Sequence, residues 1–568
     1  MIPPEGGINI KIEKISIQGI RSHKDTTFSV ESYNTIVGEN NSGKSNILFA
    51  IRWFFNELKI KKEDIKKGYD GNPAVKIIFV FDREKAPFNE EYAISEGKFE
   101  IEAFADLDKL EESSVGPKYK LKGKKEKDLK QKEVKNLVDV IFLPSIRKLD
   151  DEFKFTANST ITKLVSNHII ARIEKESPKN SMYKDIEESI KKLSDYMDGE
   201  RGAFKELKDS LEKYMLDYKN MELEFKLRPP KIDELIRNSF EPYIELNGEE
   251  LTVDSQGMGY QRSLIFSLIC NMADIKVDPS KMVLYLIEEP EIFLHPNHQT
   301  YFRDKLTSLS RDKNNQIILT SHSPYFLSHV ENYSQIKRVY LRGNDSILKE
   351  LTNDSVDKIR KENGKLMAHA IDKVGRLGNE TVDERAKKIS EEDELRYLLW
   401  IDPLRANAFL SKKVILVEGP TEKAFFSFIF GNELGLFPDD ERTSEISVID
   451  TVGKFHFYKF AKLLSELDIP IWIMYDTDVD DNGKDKTNAY ISHQKLNKYI
   501  ESLKEDGTIK DCLGNHPNLE ESLGLDNERS NKDISIYHKL ERNDRNCRDS
   551  DKYKEIKVFV KKILDYKE

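Results

Sequence analysis

The chain has 568 residues, more than one hydrophobic core normally serves, so we expect two domains plus insertions. Charged residues make up 34% and hydrophobic residues 38%, and no apolar run approaches membrane-spanning length, which excludes a membrane protein. The net charge of −10 excludes a uniformly basic nucleic-acid-binding surface, and three scattered cysteines exclude a disulfide framework. Residues 1–5 lack the features of a secretory signal, so we expect a cytoplasmic protein.

The N-terminal segment has the strand, loop and helix order of a phosphate-binding loop. Residues 8–18 and 35–37 are predicted strands, and residues 46–56 are a predicted helix with one apolar face. In the glycine-rich loop between them, backbone N–H groups would face phosphate oxygens, Lys44 would reach the terminal phosphates and Ser45 would bind Mg²⁺. The predicted ATP-binding residues of this loop are Gly38, Asn40, Asn41, Gly43, Lys44 and Ser45.

Two segments further along the chain are distinguished by their charge. Eight lysines lie between residues 118 and 132, which predicts an exposed hairpin or loop. This run is either a local nucleic-acid contact or an ordinary solvated surface, and the second is the more common meaning of a charge run. Residues 150–230 are charged with apolar residues at helical spacing, which predicts an inserted helical arm.

Three later segments carry groups suited to nucleotide chemistry. A buried strand at 283–287 precedes Glu288, which would hold Mg²⁺ directly or through water, and Glu289, which could polarise an attacking water. A second buried strand precedes His322, where an imidazole could sense the terminal phosphate. Before them, residues 254–262 open a helix at which Ser255 and Gly257 present N–H donors to an anion.

Taken in order, these segments resemble the ATP-binding-cassette ATPases of the chromosome-maintenance and RecF-like branch, over residues 8–341. The resemblance implies that the signature helix beginning near Ser255 in one subunit closes on the nucleotide of another. It therefore implies a homodimer or higher homo-oligomer formed through the ATPase domain. Glu288 departs from the aspartate of many such ATPases, although its longer side chain should still coordinate.

After this region the pattern becomes charged and helical over residues 356–398, without strand signals, which predicts a connection between domains. We expect an α/β ATPase domain with an inserted helical arm over residues 1–355. A second, smaller α/β domain is expected over residues 399–568.

Carboxylates follow two buried strands of this second domain. Glu418 ends one predicted strand, and Glu422 lies in the first turn of the helix after it. An acid near a helix N-terminus also has a purely structural explanation, but Asp476 and Asp478 leave another strand at alternate positions and favour a metal site. Carboxylates converging at strand ends suit Mg²⁺ or Mn²⁺ and not zinc. Two such ions can support phosphodiester cleavage, in DNA or RNA.

Residues 416–419 followed by Asp476-x-Asp478 resemble a Toprim domain, the catalytic fold shared by topoisomerases, primases and certain nucleases. Residues 400–409 and 452–454 narrow the resemblance to the OLD (overcoming lysogenization defect) family of nucleases, which includes Gabija-type and retron-associated phage-defence effectors. The resemblance also implies a basic residue after the acids, which the lysines between 552 and 567 leave unassigned. The metal ligands that it implies are Glu418, Glu422, Asp476 and Asp478, with Glu520 as the later acidic candidate, for which an ordinary helix-surface position is the alternative.

The sequence thus supports the hypothesis of an ATP-regulated, Mg²⁺- or Mn²⁺-dependent DNA endonuclease of antiphage defence, with Glu418, Asp476 and Asp478 as catalytic residues and Glu289 in the ATPase reaction. Two alternatives stay open. One is a DNA-binding, repair-type ATPase with a non-catalytic Toprim domain, and the other is an ATPase-gated RNA nuclease. A helicase partner would indicate a Gabija-like system, and a reverse transcriptase with its RNA would indicate a retron.

Overall fold

The computed structural model divides the chain into two compact units, one formed by residues 1–140, 281–291 and 295–568 and the other by 141–280 and 292–294. Most of the predicted arm lies outside the residues that the structure describes, apart from a helix at 181–198. The described residues are 10–81, 86–106, 114–145, 181–198, 211, 243–246, 248–257, 259–261, 263, 264, 267, 282–292, 294–328, 333–400, 402–431, 436, 437, 440–485, 489–524, 532–542 and 548–567.

Strands predominate in residues 10–145 and 282–350, and strands and helices alternate over residues 413–522. The strands are β1 (Ile10–Ile20), β2 (His23–Ser29), β3 (Tyr33–Val37), β4 (Ala74–Phe81), β5 (Lys98–Phe104), β6 (Lys118–Lys122), β7 (Lys127–Leu129), β8 (Val138–Leu143), β9 (Tyr243–Leu246), β10 (Glu249–Thr252), β11 (Met282–Glu288), β12 (Asn315–Ser321), β13 (Ile336–Arg342), β14 (Asp345–Glu350), β15 (Lys413–Val417), β16 (Ile446–Asp450), β17 (Ile471–Asp476) and β18 (Asp511–Asn515). The helices are α1 (Lys44–Phe54), α2 (Gln131–Lys135), α3 (Ser181–Asp198), α4 (Pro296–Ser310), α5 (Asn353–Asp372), α6 (Val382–Trp400), α7 (Pro403–Ala406), α8 (Pro420–Gly431), α9 (Phe457–Glu466), α10 (His493–Glu505), α11 (Leu519–Ser522), α12 (Lys532–Glu541) and α13 (Asp551–Asp565).

Two sheets form the N-terminal half of the first unit. One is antiparallel, with strand order β2-β1-β4-β5-β6-β7. The other has the order β14-β13-β3-β12-β11-β8, and β3 runs parallel to both β12 and β13. Every residue of β12 is buried, which explains its continuous apolar run and confirms the predicted buried parallel strand.

A buried glutamine joins these two sheets. The Gln316 side chain, on β12, accepts a hydrogen bond from the Ile12 backbone N–H at 2.7 Å and donates one to the Ile12 carbonyl at 2.9 Å. β1 has a register shift between Ile12 and Lys14, so the ladder is irregular at this point. The amide therefore satisfies backbone groups that an unbroken ladder would otherwise pair.

The C-terminal half contains a parallel sheet with strand order β16-β15-β17-β18. Side chains from α8, α12 and α13 pack in one core against β15 and β17. A second core contains residues of α9 and α10, and it also includes Val37 of β3 and Ile336 of β13. The phosphate-loop strand and this parallel sheet therefore share one continuous hydrophobic core.

Two segments noted in the sequence have regular structure. Residues 356–398, the expected connection between domains, span α5 and α6, and the lysine-rich run forms the β6–β7 hairpin. Lys118, Lys122 and Lys125 of that run pair with nearby carboxylates, so much of its positive charge is neutralised locally. Among the described residues, no helix is both long and apolar enough to cross a membrane.

In the second unit, β9 and β10 form an antiparallel hairpin. A single 3-10 turn, Val253–Ser255, follows it directly. Ser255 and Gly257 are exposed in this turn and the residues after it.

We predict that Gln316→Leu lowers the free energy of unfolding by roughly 1–3 kcal/mol, because it leaves the buried Ile12 N–H without its partner. Chemical denaturation should detect this loss. Gln18→Leu is the matched control, since the half-buried Gln18 side chain makes a weak, solvent-exposed 3.5 Å contact with Asp25, and the change should shift stability by about 0.5 kcal/mol or less. Equal effects of the two changes would contradict a linking role for Gln316.

Candidate functional site

The phosphate-binding loop lies at the carboxyl end of β3 and leads into α1. Gly38 has φ +153°, and a Cβ placed there would lie 1.9 Å from the Val339 carbonyl oxygen. Gly43 has φ +106°, and a Cβ there would lie 2.2 Å from the Ser346 hydroxyl. Side chains cannot be accommodated at either position, which explains why glycine is required at these two points of the loop.

Lys44 is buried at the start of α1, and its ammonium donates to the carbonyls of Gly38 at 3.1 Å and Glu39 at 2.8 Å. Burial lowers the pKa of Lys44 to about 8, and the negative charges of Glu289, Glu291 and Glu288 oppose that shift. The lysine therefore points into the loop, within the electrostatic influence of the acids that follow β11. Ser45 lies next to it on the first helical turn and is exposed.

The acids at the end of β11, Glu288 and Glu289, lie near His322, the residue that follows β12. Glu288 is in register with Thr320, and the Glu289 N–H donates to the Thr320 carbonyl at 2.9 Å. Glu289 has φ +46°, an unusual backbone conformation for a glutamate. His322 Nε2 lies 3.5 Å from Glu289 Oε1. The structure thus brings together the predicted acids and the predicted sensor histidine.

Glu291 also lies beside His322, although the sequence did not single it out. Its carboxylate accepts the His322 backbone N–H at 2.5 Å, and burial raises the pKa of Glu291. The only sequence signal for it was a third acid soon after the predicted strand. Ser255 and Gly257, in contrast, belong to the second compact unit, where the Ser255 hydroxyl donates to the Thr252 carbonyl at 2.6 Å.

The second group of predicted residues lies at the carboxyl ends of β15 and β17, which are neighbours in the parallel sheet. Glu418 follows β15, and its Oε1 accepts the Asp476 backbone N–H at 2.8 Å. Glu422, in the first turn of α8, is buried and accepts the Gly419 N–H at 3.0 Å. These bonds fix both glutamates against the backbone at the sheet edge.

Asp476 and Glu520 approach from the other side of this edge. Asp476 Oδ1 accepts hydrogen bonds from the Leu519 N–H at 3.0 Å and the Asn515 side chain at 3.3 Å. Glu520 is buried in the short helix α11, so its predicted alternative as an ordinary surface glutamate is wrong. Asp478 has φ +53°, and its N–H donates to the Pro517 carbonyl at 3.0 Å.

The electrostatics of this acidic group are strongly perturbed. Burial, with repulsion from Asp476 and Asp478, raises the pKa of Glu418 to about 8, although the positive charge of Lys454 opposes the shift. Burial followed by repulsion from Asp476 raises the pKa of Glu422 to about 8. Burial, with repulsion from Asp478 and Glu520, raises the pKa of Asp476 to about 7. Several carboxylates that repel one another in a buried place are suited to holding cations.

The donor set fits a hard divalent cation, because it consists of carboxylate oxygens. Among the residues that the structure describes, no three Asp, Glu, His or Cys side chains are already grouped tightly enough to hold a metal ion. A positive group lies among the acids instead. The Lys454 ammonium is 2.9 Å from Asp478 Oδ2 and 3.7 Å from Glu418 Oε1.

Lys552 is a second basic residue near this edge. Its ammonium donates to the Gly514 carbonyl at 2.6 Å, and the next residue, Asn515, contacts Asp476. In the sequence, several lysines between 552 and 567 have equal claims to be the basic residue that the resemblance implies. Only the packing of α13 beside β18 singles out Lys552.

A phosphate-binding loop with acids on the neighbouring strands, joined to a Toprim-like acidic edge, defines an ATPase with a Toprim domain. Comparisons with known families agree with this class. The model of the AAA ATPase domain matches residues 10–327, and that of the overcoming lysogenization defect protein-like TOPRIM domain matches residues 409–478. The chain therefore belongs to the AAA ATPase domain family, with an OLD-like Toprim domain after it, and the resemblance noted in the sequence is confirmed.

The chain aligns with curated relatives over most of their length. The chain is 24% identical to the Old nuclease of Escherichia phage P2, over 83% of this chain and 78% of that protein. It is 24% identical to Endonuclease GajA of Bacillus cereus (strain VD045), over 85% and 77%. It is 23% identical to the OLD nuclease of Thermus scotoductus, over 92% and 94%.

We predict that the metal-free protein loses thermal stability as the pH rises from about 5 to about 8. Glu418, Glu422 and Asp476 have folded-state pKa values above those of the unfolded chain, so the stability present below the unfolded values is lost as each acid deprotonates in the native state. Glu422→Gln, which keeps an acceptor for the Gly419 N–H, should flatten the decline by several °C at pH 8.

Differential scanning calorimetry in EDTA tests this expectation. The matched control is Glu505→Gln at an exposed position of α10, whose pH profile should coincide with that of the wild type. A Glu422→Gln profile as steep as the wild-type one would show that the buried acids do not control the pH dependence.

Proposed function

We propose that this protein is a divalent-metal-dependent DNA endonuclease of antiphage defence, regulated by ATP and cutting one or both strands. The observation that carries the proposal is the convergence of Glu418, Glu422, Asp476 and Glu520 at one sheet edge, where burial and mutual repulsion raise the pKa of three of them. Proteins with which this chain aligns over most of its length are named nucleases. No such cluster of buried acids is needed by a domain used only for assembly, so the repair-type ATPase is the weaker alternative.

In the proposed reaction, Glu418, Asp476 and Asp478 act at the scissile phosphate, and the metal ligands are these three with Glu422 and Glu520. Bound Mg²⁺ or Mn²⁺ would supply activation of the attacking water and stabilisation of the leaving oxygen. The chain itself holds the carboxylates in place through the N–H groups of Asp476, Gly419 and Leu519. Lys552 is the basic residue that we assign to charge stabilisation, because it lies beside the strand end that contacts Asp476.

The proposed nucleotide site uses the loop backbone at Gly38, Asn40, Asn41 and Gly43, with Lys44 on the phosphates. Ser45 and Glu288 would hold the accompanying Mg²⁺, Glu289 would orient the attacking water, and His322 would respond to the terminal phosphate. The contact between His322 and Glu289 supports the last two roles. The exposure of Ser255 and Gly257 supports their use on the nucleotide of a second copy, and hence a homo-oligomer assembled through the ATPase domain.

Regulation by ATP is supported by a short physical connection between the two sites. Arg338 is the β13 partner of Val37, the residue just before the phosphate-binding loop. Its guanidinium is buried and donates to the carbonyls of Leu467 at 3.1 Å and Asp468 at 2.9 Å. Those residues form the turn before β17, the strand that ends at Asp476.

A second bond reinforces this connection. The Tyr340 hydroxyl donates to Asp468 Oδ2 at 2.6 Å. Lys412 adds contacts to Glu39 at 3.5 Å and Glu445 at 2.8 Å, but all three side chains are well exposed, so these ion pairs are weak. Movement of the loop on nucleotide binding would therefore reach the acidic edge through Arg338 and Tyr340.

The proposed endonuclease should nick supercoiled plasmid in Mg²⁺ or Mn²⁺. Asp476→Ala with Asp478→Ala should reduce cleavage about a thousandfold or more, because both proposed ligands at the end of β17 are lost. Asp481→Asn, at a fully exposed acid three residues further on, should change the rate less than about twofold.

Parallel reactions on plasmid and transfer RNA separate DNA cleavage from the RNA-nuclease alternative. Plasmid cleavage that survives the double substitution would reject the assignment of this site. Cleavage confined to transfer RNA would favour the gated RNA nuclease instead. Co-purification of a helicase, or of a reverse transcriptase with its RNA, would identify the defence partner.

For ATP regulation, we expect Tyr340→Phe and Arg338→Met to bring the ratio of cleavage rates with and without ATP towards one. Couplings between sites are typically 5- to 150-fold, so the change should be about fivefold or more. Cleavage without ATP should stay within about twofold of wild type. Tyr458→Phe is the matched control, since that hydroxyl contacts Glu362 at 3.2 Å and not the turn before β17.

Plasmid nicking with and without ATP, repeated on Lys44→Ala, measures this coupling. An unchanged ATP effect in both Tyr340→Phe and Arg338→Met would contradict the proposed connection. A wild-type enzyme that is indifferent to ATP would reject regulation itself.

A further inference from the structure

Lys454 is a buried cation at the centre of the acidic edge. Its side chain is 1% exposed, and its ammonium contacts the carboxylates of Asp478 and Glu418. The same ammonium donates to the Asp476 backbone carbonyl and lies 3.4 Å from the Asn497 side-chain oxygen. One group thus contacts three of the proposed metal ligands.

Backbone hydrogen bonds of the segment before Lys454 fix this lysine beside the acidic edge. The Gly453 N–H donates to the Glu418 carbonyl at 2.8 Å, and the Thr451 N–H donates to the Val417 carbonyl at 2.8 Å. Between them, Val452 has φ +51°, a conformation that β-branched residues rarely adopt. Such strain persists only where surrounding contacts over-determine it, and here it directs Lys454 over the ends of β15 and β17.

The segment that Lys454 contacts is itself strained. Asp478 has φ +53°, so its conformation also needs support. Asn497 supplies part of that support, since its amide donates to the Thr477 carbonyl at 2.9 Å. Lys454 adds support through the carbonyl of Asp476 and the carboxylate of Asp478, beside the Pro517 carbonyl and His493, which also contact Asp478.

We propose that Lys454 is a positioning residue of the metal site, which holds Glu418, Asp476 and Asp478 convergent by contacting all three. It acts through the carboxylates of Glu418 and Asp478 and the backbone carbonyl of Asp476, and not on the phosphodiester. The inference rests on the metal site of the proposed function. Residues that contact and orient metal ligands, without contacting the metal themselves, typically contribute 10- to 100-fold to metal affinity or activity.

Isothermal titration of the full chain with Mn²⁺ tests the proposal without any cleavage reaction. We expect Lys454→Met and Lys454→Gln to weaken Mn²⁺ binding about tenfold or more. Lys462→Met is the matched control, because Lys462 pairs with Asp506 away from the acids and its loss should leave the affinity within about twofold. Binding of a fluorescent ATP analogue to each variant shows that the phosphate-loop half remains folded.

The outcomes separate this inference from the function on which it rests. If wild type fails to bind Mn²⁺, the proposed metal site is wrong. If wild type binds and both Lys454 variants bind equally well or more tightly, the positioning role is overturned, and tighter binding would mean that the ammonium competes with the metal. If Lys454→Met misfolds, the more conservative Lys454→Gln and the separate variant Asn497→Leu test the positioning role instead. Each of these two changes should weaken Mn²⁺ binding.

Discussion

Both candidate sites depend on one constraint, which is that parallel strands bring their carboxyl ends to the same edge of a sheet. In the ATPase half, β3, β11 and β12 end side by side, so the loop after β3 meets Glu288, Glu289 and His322. In the C-terminal half, β15 and β17 end together, so Glu418 meets Asp476. Residues more than 50 positions apart in the sequence become neighbours only through this pairing.

Carboxylates are concentrated at both of these sheet edges, and the protein must compensate their negative charge. Buried carboxylates are costly unless they are paired, hydrogen-bonded or protonated. At the phosphate loop, Lys44 lies within the field of three glutamates. At the acidic edge, Lys454 and backbone N–H groups compensate part of the charge, and burial with mutual repulsion still raises the pKa of three acids. A site whose carboxylates are only partly compensated favours the binding of further positive charge.

Strained backbone conformations occur at both candidate sites. Positive φ at Asn41, Glu289, Val452 and Asp478 occurs at the phosphate loop, at the acids after β11, and at both approaches to the acidic edge. Such conformations persist where the surrounding structure over-determines them. The shared core from Val37 and Ile336 to the C-terminal sheet supplies a rigid background for these positions. It also places the two sites in one compact unit, joined by packed residues.

The sequence by itself determined the strands, the phosphate loop and the acids at strand ends, because these features are local. Glycines at positive φ, apolar runs of strand length and acids just after them are all visible within a few residues, as at Gly38, β12 and Asp476. Only the tertiary structure decided which distant side chains meet. The burial of Glu520, the contact of Glu291 with His322, the selection of Lys552 and the place of Lys454 all depend on packing between separate elements, and no local pattern encodes such packing.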